Sequence, residues 1–327
     1  MVLSESLLVS LVKMIDRIPI PPPPAKRPRG RPVTYPDRLL LKALVIMIIR
    51  RLYTAWALLR FLDQAEPLVQ QLRCLLSEHG RFPSRRTWER RLQRLPSTLP
   101  ALIGCLGRHL VQVLNLWAEQ GHGAALDSTP LRAHGGVWHK QHRDQGVVPH
   151  TSIDTEAAWS KSGYQGWWYG WKLHLAVSIG RRWIPLAAEF TPANAADNLI
   201  APQLLRELPL AIRYVLGDQH YNTPELRAEC VLHNRELVAT RRGKYPHTDG
   251  GVEVRRLFHK LRSQAIEPFN GLFKNLFEWR GQMPVKGLNR CQLLALGAVF
   301  LYQLVLLYQH EQHLPLGAGI KPLLRAA

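Results

Sequence analysis

Three carboxylates stand in contexts suited to phosphodiester chemistry: Asp127 in AALDSTPLRA, Asp218 in YVLGDQHYNTPELR and Glu267 in SQAIEPFNGLFK. The two aspartates close short apolar runs and read as strand-end residues, whereas Glu267 precedes Phe273 and Phe277, which continue an apolar helical face. Carboxylates gathered at one point hold Mg²⁺ or Mn²⁺, hard cations that prefer oxygen ligands. Two such ions about 3.5–4 Å apart stabilise both the attacking and the leaving oxygen of an in-line displacement at phosphorus. That chemistry calls for a polyanionic substrate.

Composition supplies the opposite charge. The 327 residues include 43 Lys and Arg against 24 Asp and Glu, a formal net charge of +19, and the isoelectric point is near 10.3. Such a balance directs the reading to nucleic acid. Residues 1–120 carry 19 basic against 8 acidic side chains, so the basicity is densest at the front. Cys74, Cys105, Cys230 and Cys291 lie far apart without a CxxC, which argues against a zinc ribbon or a disulfide framework and fits a reducing cytoplasm. Glu5 precedes the first apolar stretch and no basic cluster does, which argues against a secretory signal. The apolar run at 293–308 contains Gln303 and falls short of the roughly 20 residues that span a bilayer, so it predicts a buried C-terminal helix and no membrane partner.

Positioning the three acids is the task of the elements around them. Length predicts about two domains, since single cores stop growing near 250–300 residues. Residues 1–18 read as an N-terminal helix and 19–34 as a proline-rich linker. The basic end of that linker, with Arg29 and Arg31 flanking Gly30, is similar to an AT-hook core, which lays two guanidinium groups along the floor of a narrow minor groove. A solvated basic linker that touches phosphates loosely is the alternative. Residues 35–120 have helical periodicity throughout and predict an all-α, helix-turn-helix-like DNA-binding domain. Within it Ser84 is a good N-cap for a helix that carries Arg85, Arg86, Arg90, Arg91 and Arg94 beside Trp88, Leu92 and Leu95. One apolar side and one arginine side suit a recognition helix, or else a basic surface helix.

From residue 121 to about 310 strands and helices alternate, and 311–327 form a tail. Three antiparallel strands, then helix, strand, helix, strand and a long helix, are the order of a ribonuclease H-like α/β fold with a mixed five-stranded sheet. In that order the first and fourth strands are neighbours. Asp127 and Asp218 then meet at one sheet edge, and Glu267 approaches from the last helix.

These segments resemble the IS4/IS5-type DDE transposases of bacterial insertion sequences over roughly residues 35–308. LDST is similar to the family's first acidic motif, GWWYGWKLHLAV with TPANAADN resembles its second and third strands, and GDQHYNTPELR matches its second acid. Glu267 followed by Lys274 fits the E-x6-K spacing of its C-terminal signature. Lys260 and Ser263 stand where that signature has Tyr and Arg, with Arg262 one residue off register.

The resemblance implies a metal-dependent enzyme with two Mg²⁺ or Mn²⁺ ions on Asp127, Asp218 and Glu267. It would hydrolyse a phosphodiester at an element's end and join the freed 3′-hydroxyl to target DNA. Lys274 would hold a phosphate, and Lys172 and His174, on one side of a strand, would lie near the scissile strand. Tyr221 would pack under a base or sugar, or make a structural hydrogen bond. Trp167, Trp168, Tyr169 and Trp171 suit base stacking or a core equally. His134, His139, His142 and His150 form a polar loop without zinc spacing. The implied partners are double-stranded DNA (terminal inverted repeats and target), with a homodimer pairing the ends and no small-molecule substrate. A DNA-binding repressor with a decayed site, or a nuclease that stops at hydrolysis, are the competing functions.

Overall fold

The first apolar block of the chain folds as helices. In this computed structural model, residues 6–21, 34–114, 122–163, 166–180, 182–239, 249–279 and 281–326 are described, with side chains at 249–255 left aside. Arg29, Arg31 and the AT-hook-like linker fall outside the described residues. The helices are α1 (Leu7–Met14), α2 (Asp37–Ile49), α3 (Ala55–Leu62), α4 (Pro67–Leu75), α5 (Arg85–Arg94) and α6 (Leu99–Val113). Ser84 caps α5 as its sequence predicts, its hydroxyl accepting from the Thr87 amide at 3.3 Å, and Trp88 and Leu92 are buried beneath it. A four-residue turn, 63–66, joins α3 to α4, whereas a nine-residue connector, 76–84, separates α4 from the arginine-rich α5. The tight turn of the helical block therefore precedes α4 rather than α5.

The second block is α/β: β1 (Gly123–Arg132), α7 (Lys140–Asp144), β2 (Ala158–Ser162), β3 (Gly166–Ser178), β4 (Pro185–Pro192), α8 (Asp197–Glu207), β5 (Tyr214–Gly217), α9 (Pro224–Leu232), β6 (Glu236–Ala239), α10 (Asp249–Leu276), α11 (Leu288–Glu311) and α12 (Ile320–Ala326). The sheet has six strands in the order β2-β3-β1-β5-β6, with β4 also on β3. This corrects the expected five. The extra strand, AWSKS, pairs with residues 166–170 of the long β3, and β4 pairs with residues 171–177 on the same edge. As the order of elements predicts, β1 lies antiparallel to β3 and parallel to β5.

One hydrophobic cluster runs from Leu8 in α1 through Leu44 in α2 and Leu106 in α6 to Val177 in β3 and Leu296 in α11. No break in this core separates the helical block from the sheet. Gln303 of α11 ties the two together, its amide donating at 2.8 Å to the carbonyls of Ile103 in α6 and Pro185 in β4. Among the described residues α11 alone is long and apolar enough to cross a membrane, and it lies almost wholly inside the core. The helix α10 contains Pro268, which has no amide hydrogen for the Gln264 carbonyl one turn back. The Trp183 indole takes that carbonyl at 3.0 Å, so the long helix continues with its backbone satisfied.

Candidate active site

The strand β1 starts with four buried apolar positions, Gly123 to Leu126, and turns polar at Asp127. Its parallel partner β5 pairs Ala125 with Leu216 and ends at Gly217. Two more steps along each strand lead to Asp127 and Asp218, close enough for the charge of Asp218 to act on the Asp127 carboxyl. Asp218 caps the 3₁₀ turn Gln219–Tyr221 by accepting from the His220 amide at 2.8 Å. Gly217 permits this turn, because a Cβ there would meet the Tyr221 Cβ at 2.8 Å. Tyr221 is consequently buried, its hydroxyl unpartnered and its acidity suppressed, first by burial and then by the charges of Asp197, Asp127 and Asp218. Its ring lies within the protein rather than open to a base or sugar.

Strand alternation puts Asp127 and Ser128 on opposite faces of the sheet. On the first face α10 covers Asp127. The Asn270 amide donates to Asp127 Oδ2 at 3.3 Å. Burial raises the Asp127 carboxyl to about 6; the Arg262 charge and the Ser128 amide oppose the shift, and the charges of Asp218 and Asp197 add to it. Lys274 sits on the same helix, half-buried, its ammonium pKa lowered by burial and drawn back up by Asp127. Glu267, on the same helix, is exposed. Its carboxylate meets Arg262 at 3.6 Å, because Ile266 and Phe269 take the inward positions of that turn. Arg262, one residue off register in sequence, thus stands between Glu267 and Asp127. Among the described residues no group of three His, Cys, Asp or Glu side chains converges as a metal cage.

On the second face Asp197, the first residue of α8, collects the polar groups. Ser128 Oγ donates to it at 3.0 Å and Lys172 Nζ at 2.9 Å, and Lys172 also donates to the Ala195 carbonyl at 3.0 Å. His174 lies fully buried beside them, with Nε2 at 2.8 Å from the Thr191 hydroxyl. Its Nδ1 is 3.5 Å from Asp197, too far for a hydrogen bond, so burial outweighs the carboxylate's pull and lowers the imidazole to about 4. Lys172 and His174 do share a strand side, but they are bound to protein groups rather than presented to a phosphate.

A cleft of about 690 Å³ opens beside this face, lined among others by Ser128, Lys161, Lys172, Asp197, Asp218 and His220. Of the aromatic run, Trp168, Tyr169 and Trp171 are core residues, and Trp167 is exposed with Lys161 over its ring at 5.7 Å. On α5, Arg85 pairs with Glu89 at 2.8 Å and Arg91 with Asp37 at 2.6 Å, which leaves Arg86, Arg90 and Arg94 as its outward cations. His139 of the histidine loop packs near Trp159, ring centroids 6.3 Å apart.

Asp197 and Asn270 are site residues that sequence reasoning passed over. Asp197 had a signal in the AADN string at a helix start, and Asn270 stands one turn beyond Glu267. The donor set around Asp127 fits a hard divalent cation: two carboxylates at one sheet edge, with an amide oxygen of Asn270 buried and unpartnered beside them.

An uncharacterized protein of Aquifex aeolicus (strain VF5) is 25% identical over 292 residues, covering 85% of this chain and 80% of that protein. The cryo-EM structure of the piggyBac transposase synaptic complex with hairpin DNA aligns with a TM-score of 0.39 at 8% identity, over 98% of this chain and 76% of that one. Residues 120–304 match the family described as the transposase DDE domain, a span that holds Asp127, Asp218 and Glu267. That match takes in more than half of the chain, and this protein belongs to the DDE-domain transposases, enzymes that cleave DNA and transfer its strands.

Proposed function

We propose that this transposase, of the IS4/IS5 type, cuts the phosphodiester at the ends of a mobile element and joins the freed 3′-hydroxyl to target DNA, with Asp127, Asp218 and Glu267 as its catalytic acids. The observation that carries the reading is the pairing of β1 with β5, which brings the first two acids to one sheet edge. Bound Mg²⁺ or Mn²⁺, as two ions on these acids, would supply positive charge to the attacking and leaving oxygens.

The chain's own residues do the rest. Burial makes the lone charge of Asp127 costly, and a bound cation would balance it. Arg262 holds Glu267 at the rim of the site, and Lys274, beside Asp127, holds a non-bridging phosphate oxygen of the strand being cut. Arg86 and Arg90 on α5 grip DNA backbone outside the site, in a helical region that serves as the DNA-binding domain ahead of a ribonuclease H-like catalytic domain. Pairing two inverted-repeat ends uses a homodimer.

The test is a cleavage and joining assay with the purified full chain, Mg²⁺ and DNA carrying the element's terminal repeats. Nicked and joined products that disappear in Asp218→Asn support the reading. Nicks without joined products identify a nuclease that stops at hydrolysis, and sizing of the paired-end complex at one protomer removes the dimer.

A further inference from the structure

Asn270 has an unusual position for a helix residue so close to the acids. Its amide nitrogen makes one long bond, 3.3 Å, to Asp127, and its oxygen is buried with no partner. Native folds pair such atoms or keep them for a ligand. The neighbouring Tyr221 hydroxyl is buried without a partner as well, so the pocket around Asp127 has more polar oxygen than the protein itself satisfies.

An amide oxygen is a neutral hard donor that Mg²⁺ and Ca²⁺ sites accept beside carboxylates. It adds a ligand without adding a third negative charge next to Asp127 and Asp218. A half-turn about the Asn270 Cβ–Cγ bond exchanges Nδ2 for Oδ1 on the Asp127 side and gives up only that long bond. Glu267, one helical turn earlier, cannot fill this position as it stands, because it is exposed and held by Arg262 at 3.6 Å.

We propose that Asn270 is itself a ligand, its Oδ1 joining Asp127 and Asp218 around one divalent cation while Glu267 serves the second. The inference rests on the reading above that Asp127 and Asp218 hold a cation. Calorimetric titration of the full-length protein with Mn²⁺, without DNA, separates the two. Asn270→Ala is expected to lower Mn²⁺ affinity about 10–100-fold, and Asp127→Asn to abolish binding at this position. Asn270→Cys places a soft thiolate there and is expected to gain one tight Cd²⁺ site, with a thiolate-to-cadmium absorption in excess of that of the wild-type protein.

That band also keeps the test open if the alanine variant fails to fold. Wild-type Mn²⁺ affinity in Asn270→Ala, with binding lost in Asp127→Asn, overturns the ligand role and keeps the two aspartates. Absence of the excess cadmium absorption in a folded Asn270→Cys overturns it equally. A wild-type protein that binds no Mn²⁺ overturns the parent reading and the inference with it.

Discussion

Asp127 and Asp197 lie on the two faces of one sheet, and their surroundings differ in kind. Asp197 has Lys172 at 2.9 Å and Ser128 at 3.0 Å, so its charge is balanced within the protein. Asp127 has one long side-chain bond from a neutral amide, the backbone amide of Ser128 and no cation in hydrogen-bond contact among the described residues, and its carboxyl is driven up to about 6. A buried acid with a partner holds a fold together. A buried acid with only neutral partners stores an unmet demand for positive charge, and the fold retains it where a ligand will answer.

The comparison breaks most plainly on activity. Asp127→Asn is expected to reduce DNA cleavage by at least about 10³-fold, while the metal-free protein becomes more stable at pH 7.5, measured by urea unfolding. The sign follows from the shift. A carboxyl raised from 3.8 to about 6 contributes stability below pH 3.8 that is lost as pH rises through 6. Above that its ionised form costs on the order of 2–3 kcal/mol. Asp197→Ala is expected to do the reverse, costing roughly 3 kcal/mol by leaving Lys172 half-buried and unpaired. A stabilised Asp197→Ala would erase the distinction.

Acid titration sharpens it. His174 is lowered to about 4, so its contribution is present above pH 6.5 and lost as pH falls from 6.5 through 4. Asp127 runs the opposite way over nearly the same window. Unfolding free energy between pH 6 and 4 is therefore expected to fall more steeply in Asp127→Asn than in the wild type, and to rise towards acid in His174→Gln. Parallel profiles in the two variants would contradict the contrast.

Much of this contrast was readable from the chain alone, and the rest was not, for identifiable reasons. The two aspartates could be placed because each closes an apolar run whose strand pairs as its order predicts. Glu267 could be put on the right helix, but its exposure and its pairing with Arg262 could not be read, since one residue turns a helix by about 100° and Ile266 and Phe269 take the core side. The strand AWSKS escaped because its residues are half-buried or exposed without alternation, and it exists through pairing with β3. Asp197 had only the AADN string at a helix start to mark it, and Asn270 only its place one turn beyond Glu267. Their roles come from residues 69 and 143 positions away in sequence, Ser128 and Asp127.

Smaller effects follow at the margins. Gly217→Ala puts a methyl group 2.8 Å from the Tyr221 Cβ, and is expected to lower cleavage about tenfold with a stability loss of roughly 1–3 kcal/mol. On α5, Arg86→Gln and Arg90→Gln are each expected to reduce the salt dependence of DNA binding by about one unit of slope, measured by fluorescence anisotropy across NaCl concentrations. Arg91→Gln, whose guanidinium is committed to Asp37 at 2.6 Å, is expected to change stability more than slope.

Anomalous scattering from crystals of the full chain grown with Mn²⁺ tests the central claim most directly. The account predicts a manganese peak about 2.1–2.2 Å from carboxylate oxygens of both Asp127 and Asp218. A peak on Asp197 instead, or Asp127 and Asp218 left bare at saturating Mn²⁺, would contradict it.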